Sequence, residues 1–226
     1  MRATTIALAL ATVLATAAHA QDSPVVVELF TSQGCSSCPS ADAFLTDLAH
    51  QNRDVLPLAF HVTYWNHLGW KDPYAFDAAT DRQRDYARHL SDDGVYTPQM
   101  VVDGTTGFVG SDRTRGAAVI ARAVRKPVAI SLTRDGQVLL IKVGSGAGQA
   151  RVLLVGFDHT HETPIGRGEN GGRTLTESNI VRSLTPIGAW TGSGLRLRQT
   201  ATAGETFAVL LQAEDGRIIG ATRLAS

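Results

Sequence analysis

The chain has 226 residues, and its 21 lysines and arginines are matched by 21 aspartates and glutamates, so its formal net charge is zero. A balanced charge with no basic run excludes a dedicated nucleic-acid or anionic-membrane surface. With only two cysteines, disulfides do not staple the fold, and the length allows one sizeable core or two smaller ones.

The first twenty residues read as a targeting segment. Arg2 supplies the positive start, Ile6 to Ala18 is a short apolar stretch, and Ala18-His19-Ala20 is a small-x-small cleavage site. The alternative is a membrane anchor, but an apolar stretch that short, interrupted by Thr12 and Thr16, does not span hydrocarbon. We therefore expect residues 1–20 to be a signal peptide and the mature chain to be exported, periplasmic or secreted, with no transmembrane segment.

Residues 25–126 alternate strand and helix. Val25-Val26-Val27-Glu28-Leu29-Phe30 is a run of the buried-strand type. A polar turn from Thr31 to Gly34 follows, then a helix from Pro39 with Ala41, Phe44, Leu45 and Leu48 at helical spacing. A second strand is expected from Val55 to Val62 and a helix near Phe76 to Leu90. Gln99 to Val102 and Gly107 to Val109 form a hairpin through Asp103-Gly104, and Ala117, Ile120, Ala121 and Val124 mark a closing helix. This order predicts an α/β mixed sheet flanked by helices.

After Lys126-Pro127 the pattern becomes strand-like, with Val128 to Thr133, Val138 to Val143, Arg151 to Phe157, Leu195 to Gln199, Phe207 to Gln212 and Ile218 to Arg223. Residues 127–226 are thus expected to form a β-rich, sandwich-like domain beside the first.

The chemistry lies in Gly34-Cys35-Ser36-Ser37-Cys38-Pro39, between a strand and a helix. A helix N-terminus presents unpaired N–H groups and partial positive charge, which favour thiolate over thiol. Thiolate is the attacking species in disulfide exchange. Cys35, nearer the turn, is the expected nucleophile and Cys38 the resolving cysteine. Two other readings stand beside this one. One takes the pair as half of a zinc site, though no second cysteine pair completes it and only histidines are left to do so. The other takes it as an inert structural disulfide, though so small a loop contributes little chain entropy.

A distant stretch bears on the choice. Gly94-Val95-Tyr96-Thr97-Pro98-Gln99-Met100-Val101-Val102-Asp103-Gly104 resembles the thioredoxin superfamily segment in which a cis-proline opens the third strand beside the CxxC helix, and the resemblance spans roughly Val25 to Arg125. It implies a thioredoxin-like fold, a cis Pro98 facing the disulfide, and backbone pairing of Thr97 with an extended substrate segment. The whole chain is similar to a family of secreted thioredoxin-like proteins known as a domain of unknown function, through Glu28-Leu29-Phe30-Thr31-Ser32-Gln33-Gly34-Cys35, Tyr96 to Gly104 and Gly166-Arg167-Gly168-Glu169-Asn170. That likeness implies a fold and no activity. Ser36-Ser37 replaces the Gly-Pro of thioredoxins, and no Trp precedes Cys35. Glu28 stands one residue out of register with their buried acid, so it is either a proton relay or a strand glutamate facing solvent or paired with an Arg.

Three further segments bear on a site. Tyr64, Trp65, His67 and Trp70 leave the carboxyl end of the second strand, either as a wall for a partner or as packing onto the second half. His159 and His161 alternate with Glu162 next, a spacing compatible with metal but also frequent by chance, and we assign no metal and no cofactor. Gly166 to Arg173 is a glycine-dense loop without phosphate-binding context. The expected function is thiol–disulfide exchange with a protein or peptide partner. The alternative is a binding protein for a metal or an envelope protein, built on the same scaffold with a non-catalytic disulfide.

Overall fold

The computed structural model describes residues 23–51, 54–124 and 126–225. The signal peptide expected at residues 1–20 lies outside them. Among the described residues no helix is long and apolar enough to cross a membrane.

The first half has the element order read from its hydrophobic pattern. Strand β1 (Val25–Thr31) is followed by α1 (Pro39–Gln51), β2 (Val55–His61), α2 (Asp77–Leu90), β3 (Gln99–Val102), β4 (Thr106–Val109) and α3 (Arg113–Ala121). β1 lies parallel to β2, in register from Val25↔Val55 to Thr31↔His61, and antiparallel to β3. Side chains alternate across the sheet, so β1 separates two cores. Val27 and Leu29 pack with Ala41, Phe44 and Leu45 of α1, whereas Val26 and Phe30 pack with Ala79 and Tyr86 of α2.

The second half contributes β5 (Ile130–Asp135), β6 (Val138–Val143), β7 (Ala150–Pro164), β8 (Thr174–Trp190), β9 (Leu195–Thr200), β10 (Thr206–Gln212) and β11 (Ile218–Arg223). Every element after Lys126-Pro127 among the described residues is a strand, yet the main sheet continues past that point. β8 joins β2 at Ala59↔Ile180, which gives one eight-stranded mixed sheet ordered β11-β10-β7-β8-β2-β1-β3-β4. The small sheet β5-β6-β9 covers one end of it. Ile130, Leu139, Ile141 and Val143 there meet Val152, Leu154, Phe207, Val209 and Leu211 of the large sheet around buried Trp190, a sandwich-like core.

The two halves also meet at their turns. Gly104 has φ of +68°, and a Cβ there would stand 2.1 Å from the Gly216 carbonyl oxygen, so only glycine lets the β3–β4 turn lie against the β10–β11 turn. Nearby, Ile218 N–H donates to the Asp103 carbonyl at 2.9 Å.

Candidate functional site

The β1–α1 turn places both cysteines at the carboxyl end of β1. Cys35 and Cys38 are joined as a disulfide with Cα atoms 5.4 Å apart. The turn winds into the helix without a break, because Cys38 N–H donates to the Cys35 carbonyl at 3.2 Å, and Ala41 and Asp42 N–H donate to the Cys38 carbonyl. Pro39, first in α1, has no N–H to leave unpaired there. Ser37 Oγ lies 3.4 Å from Cys35 Sγ.

Pro98 sits beside this turn. The Thr97–Pro98 bond is cis. A Cβ at Gly110 would stand 3.2 Å from Ala41 Cβ and 3.4 Å from Pro98 Cβ, so Gly110 lies between the proline and the first turn of α1. Trp65 bridges the two, because its indole N–H donates to Thr97 Oγ1 at 2.8 Å while its Cβ would lie 3.3 Å from a side chain at Gly34.

The glycine-dense loop closes over the disulfide. Asn170 is fully buried, and its amide nitrogen donates to the carbonyls of both Gln33 and Cys35 at 2.9 Å. Its own oxygen accepts from Arg173. Glu169 accepts the Ser36 N–H at 3.0 Å, and that bonding holds its carboxyl below the ordinary carboxylate range. Gly168, at φ of +80°, lets the loop lie against Trp70, since a Cβ there would approach Trp70 Cβ to 3.2 Å. Both cysteines therefore have no exposed surface, although Ser36 and Ser37 between them are exposed. Local sequence places Cys35 nearer the turn, and a loop more than a hundred residues away packs onto that turn.

The aromatic segment after β2 acts as packing. Trp70 donates its indole N–H to Gln33 Oε1 at 3.0 Å, Tyr64 donates to Gln83 Oε1, and His67 stands exposed outside these contacts. Trp70 thereby joins the turn before Cys35 to the loop from the second half.

Glu28 is paired with an arginine on the opposite face of the sheet from α1. It shares the α2 face with Val26 and Phe30, and Arg82 forms a buried ion pair with it while Tyr86 donates to Oε1 at 2.7 Å. Arg82 also stacks over the Phe60 and Tyr86 rings. The one-residue register difference decides this, because it turns the side chain away from the face that carries α1.

The face beneath α1 instead holds acids that no motif marked. His61 Nδ1 lies 2.7 Å from Asp72 Oδ2, which also accepts the Gln33 N–H at 2.9 Å. His61 Nε2 lies 3.8 Å from Glu177 Oε1, and Gln33 Nε2 donates to Glu177 Oε2 at 2.6 Å. Asp42, in the first turn of α1, accepts from Thr31 Oγ1 at 2.7 Å. All four charged residues are buried. Burial alone would lower His61, but the Asp72 and Glu177 carboxylates raise it to about 9. Burial also works against ionised Asp72, yet the His61 charge and its hydrogen bond hold that carboxyl down. Burial and then the Glu177 carboxylate push Asp42 up to about 8, and burial raises Glu177 as well. A buried polar residue leaves no periodic trace, so only the spacing of Asp42 from Cys38 could have drawn attention to it.

The two histidines of the His159-Thr160-His161 segment have different surroundings. His159 is exposed, while His161 lies 3.1 Å from Asp158, whose Oδ2 also accepts from Arg182 at 2.6 Å. Among the described residues Asp158, His161 and Glu205 form a cluster of ligand type, with the Asp158 charge already met by Arg182.

No protein among the curated ones matches this chain. The crystal structure of protein AGR_C_4864 from Agrobacterium tumefaciens is similar at a TM-score of 0.78 and 34% identity, over 90% of this chain and 95% of that one. HBP35 of Porphyromonas gingivalis is similar in fold alone, with a TM-score of 0.64 and 13% identity over 89% of this chain and 74% of that one. The family described as Protein of unknown function (DUF1223) matches residues 26–212, from the first strand through the disulfide and the covering loop to β10, and the chain belongs to that family.

Proposed function

We propose that this chain is an exported thiol–disulfide oxidoreductase of the thioredoxin superfamily, exchanging its Cys35–Cys38 disulfide with the thiols of a protein or peptide partner. The observation that carries the reading is the disulfide at the start of α1 with Thr97–Pro98 tied to the turn before it through Trp65. Residues 1–20 support export, and an oxidising compartment is where such a disulfide persists.

In the exchange, a partner thiolate attacks Cys35 Sγ, the Cys35–Cys38 bond breaks, and the electron pair leaves on Cys38. A second partner thiolate then attacks the mixed disulfide, releases Cys35 as thiolate, and leaves the partner oxidised by two electrons. The reverse sequence reduces a partner disulfide. The partial positive charge at the start of α1 favours the Cys35 thiolate, and the nearby Ser37 hydroxyl is a donor to it. Thr97 offers backbone for strand addition by the partner. The Glu169-Asn170 segment must move aside before a partner sulfur reaches Cys35.

Burial of both sulfurs favours a second reading, a binding scaffold whose disulfide is structural. Equilibration of the folded protein with glutathione buffers of graded ratio, followed by exchange with a peptide dithiol, separates the two. Reversible two-electron reduction with turnover supports the oxidoreductase. A disulfide that stays intact across the series, with no peptide turnover, supports the scaffold.

A further inference from the structure

Opening the disulfide puts a negative charge on Cys38, which has no exposed surface. A thiolate buried away from water is costly, so a proton must reach that sulfur as the bond breaks. The partial positive charge at the start of α1 favours a thiolate on Cys35, and Glu28 lies on the other face of the sheet beside Arg82.

Asp42 stands one helical turn beyond Cys38 and donates its backbone N–H to the Cys38 carbonyl at 3.0 Å. Helix side chains lean toward the N-terminus over the residue four positions earlier, so the Asp42 side chain belongs to the turn that carries Cys38. Thr31 occupies Oδ1, and Oδ2 is buried with no partner. The groups facing this carboxyl are Thr31 from β1, His61 from β2, Asp72 from the following loop and Glu177 from β8.

The charges decide where a proton resides. Asp72 and His61 form one buried ion pair at 2.7 Å. That leaves two carboxylates, Asp42 and Glu177, and two neighbouring buried anions do not both ionise readily. Glu177 has the stronger support for its charge, with Gln33 donating to Oε2 and His61 Nε2 at 3.8 Å from Oε1. The proton therefore falls to Asp42.

We infer that Asp42 is the proton donor to Cys38 when the disulfide opens, and that Glu177 is the positioning residue that keeps the proton on Asp42. As the partner thiolate bonds to Cys35 Sγ, the S–S pair departs on Cys38 Sγ, and the Asp42 O–H proton transfers to that sulfur. This leaves the Asp42 carboxylate and the Cys38 thiol. Solvent later returns the proton to Asp42. In the reverse direction the carboxylate takes the Cys38 proton as that sulfur attacks the mixed disulfide. Asp42, raised to about 8 by burial and by Glu177, is matched to a thiol under near-neutral conditions.

This inference rests on thiol exchange as the function, but its test does not require the physiological partner. The full-length oxidised protein is opened by dithiothreitol across pH, with the rate constant corrected for the thiolate fraction of the reagent. The wild type should open faster below an inflection near pH 8 than above it. Asp42→Asn should lower the rate at pH 7 by about 10²-fold, the ordinary scale of general acid catalysis, and abolish the inflection. Glu177→Gln should move the inflection to lower pH, because the carboxylate that raises Asp42 is gone. An Asp42→Asn rate within about twofold of wild type with the inflection retained overturns the inference. If Asp42→Asn fails to fold, Glu177→Gln decides, and an unmoved inflection is then the negative result. Stoichiometric zinc uptake that Glu177→Gln abolishes would assign the carboxylates to a cation and also overturn it. Absence of peptide-dithiol turnover with the Asp42 dependence intact would instead fail the oxidoreductase reading and leave the proton donor standing.

Discussion

Asn170 donates its side-chain amide to the Cys35 carbonyl at 2.9 Å across a sequence separation of 135 residues, and the same nitrogen reaches the Gln33 carbonyl. One buried side chain thus ties the all-β half to the turn that carries the disulfide. Asn170→Ala should leave both buried carbonyls without that donor, at a cost of about 1–3 kcal/mol. Urea unfolding reads the cost. The same variant should be reduced faster by dithiothreitol, because the cover over Cys35 loosens. A stable variant reduced at the wild-type rate would mean that the loop does not limit access.

Gly168 tests the cover without touching a hydrogen-bonding side chain. Its φ of +80° and the 3.2 Å approach of a Cβ to Trp70 leave no relaxed place for alanine. Gly168→Ala should cost about 1–2 kcal/mol, the scale of a left-handed conformation for an L-residue. Its effect on reduction should follow that of Asn170→Ala, and the two rates measured side by side check this.

The buried acids make stability depend on pH. His61 is raised to about 9 from 6.5, so its contribution is complete below its ordinary value and lost as pH rises through 9. Asp42, raised from 3.8 to about 8, keeps a proton in the folded state that the unfolded chain has already released. Between about pH 6 and 9 the folded state therefore binds more protons, and stability falls as pH rises. The slope is about 1.4 kcal/mol per pH unit for each proton held only in the folded state. Asp72 acts oppositely, adding stability above its ordinary 3.8 that is lost in acid. Denaturant midpoints measured from pH 5 to 9 should decline, and Asp42→Asn should flatten the decline by about one proton.

The Glu28–Arg82 pair should behave as structure. Arg82→Leu leaves a buried carboxylate without its cation and should destabilise by about 3–5 kcal/mol. Adding Glu28→Gln to that variant should recover part of the loss, read as a non-additive double-mutant cycle in urea.

The two cysteines should divide the work of exchange. Cys38→Ser should accumulate mixed disulfides on Cys35 with envelope proteins, because the resolving thiol is gone, while Cys35→Ser should accumulate few. Non-reducing electrophoresis of extracts reads the difference. Equal trapping by both would reverse or erase the assigned roles.

By itself the sequence determined the element order of the first half and its cysteine pair. Runs such as Val25 to Phe30 and the helical spacing of Ala41, Phe44 and Leu45 carry their own periodicity, and Cys35 and Cys38 are local in the chain. Strand β8 was not legible. Thr174–Trp190 mixes polar residues with Pro186 and a left-handed Asn179, so its strand identity comes from pairing with β7 rather than from alternation. Tertiary structure alone decided that this strand extends the main sheet, that Asn170 covers the disulfide, and that Glu28 faces Arg82 while Asp42 faces Glu177. The physical reason is common to all four. Periodicity records which side chains avoid water, whereas a polar side chain is placed by partners that only folding brings near, and a buried acid reads the same as an exposed one until those partners are known.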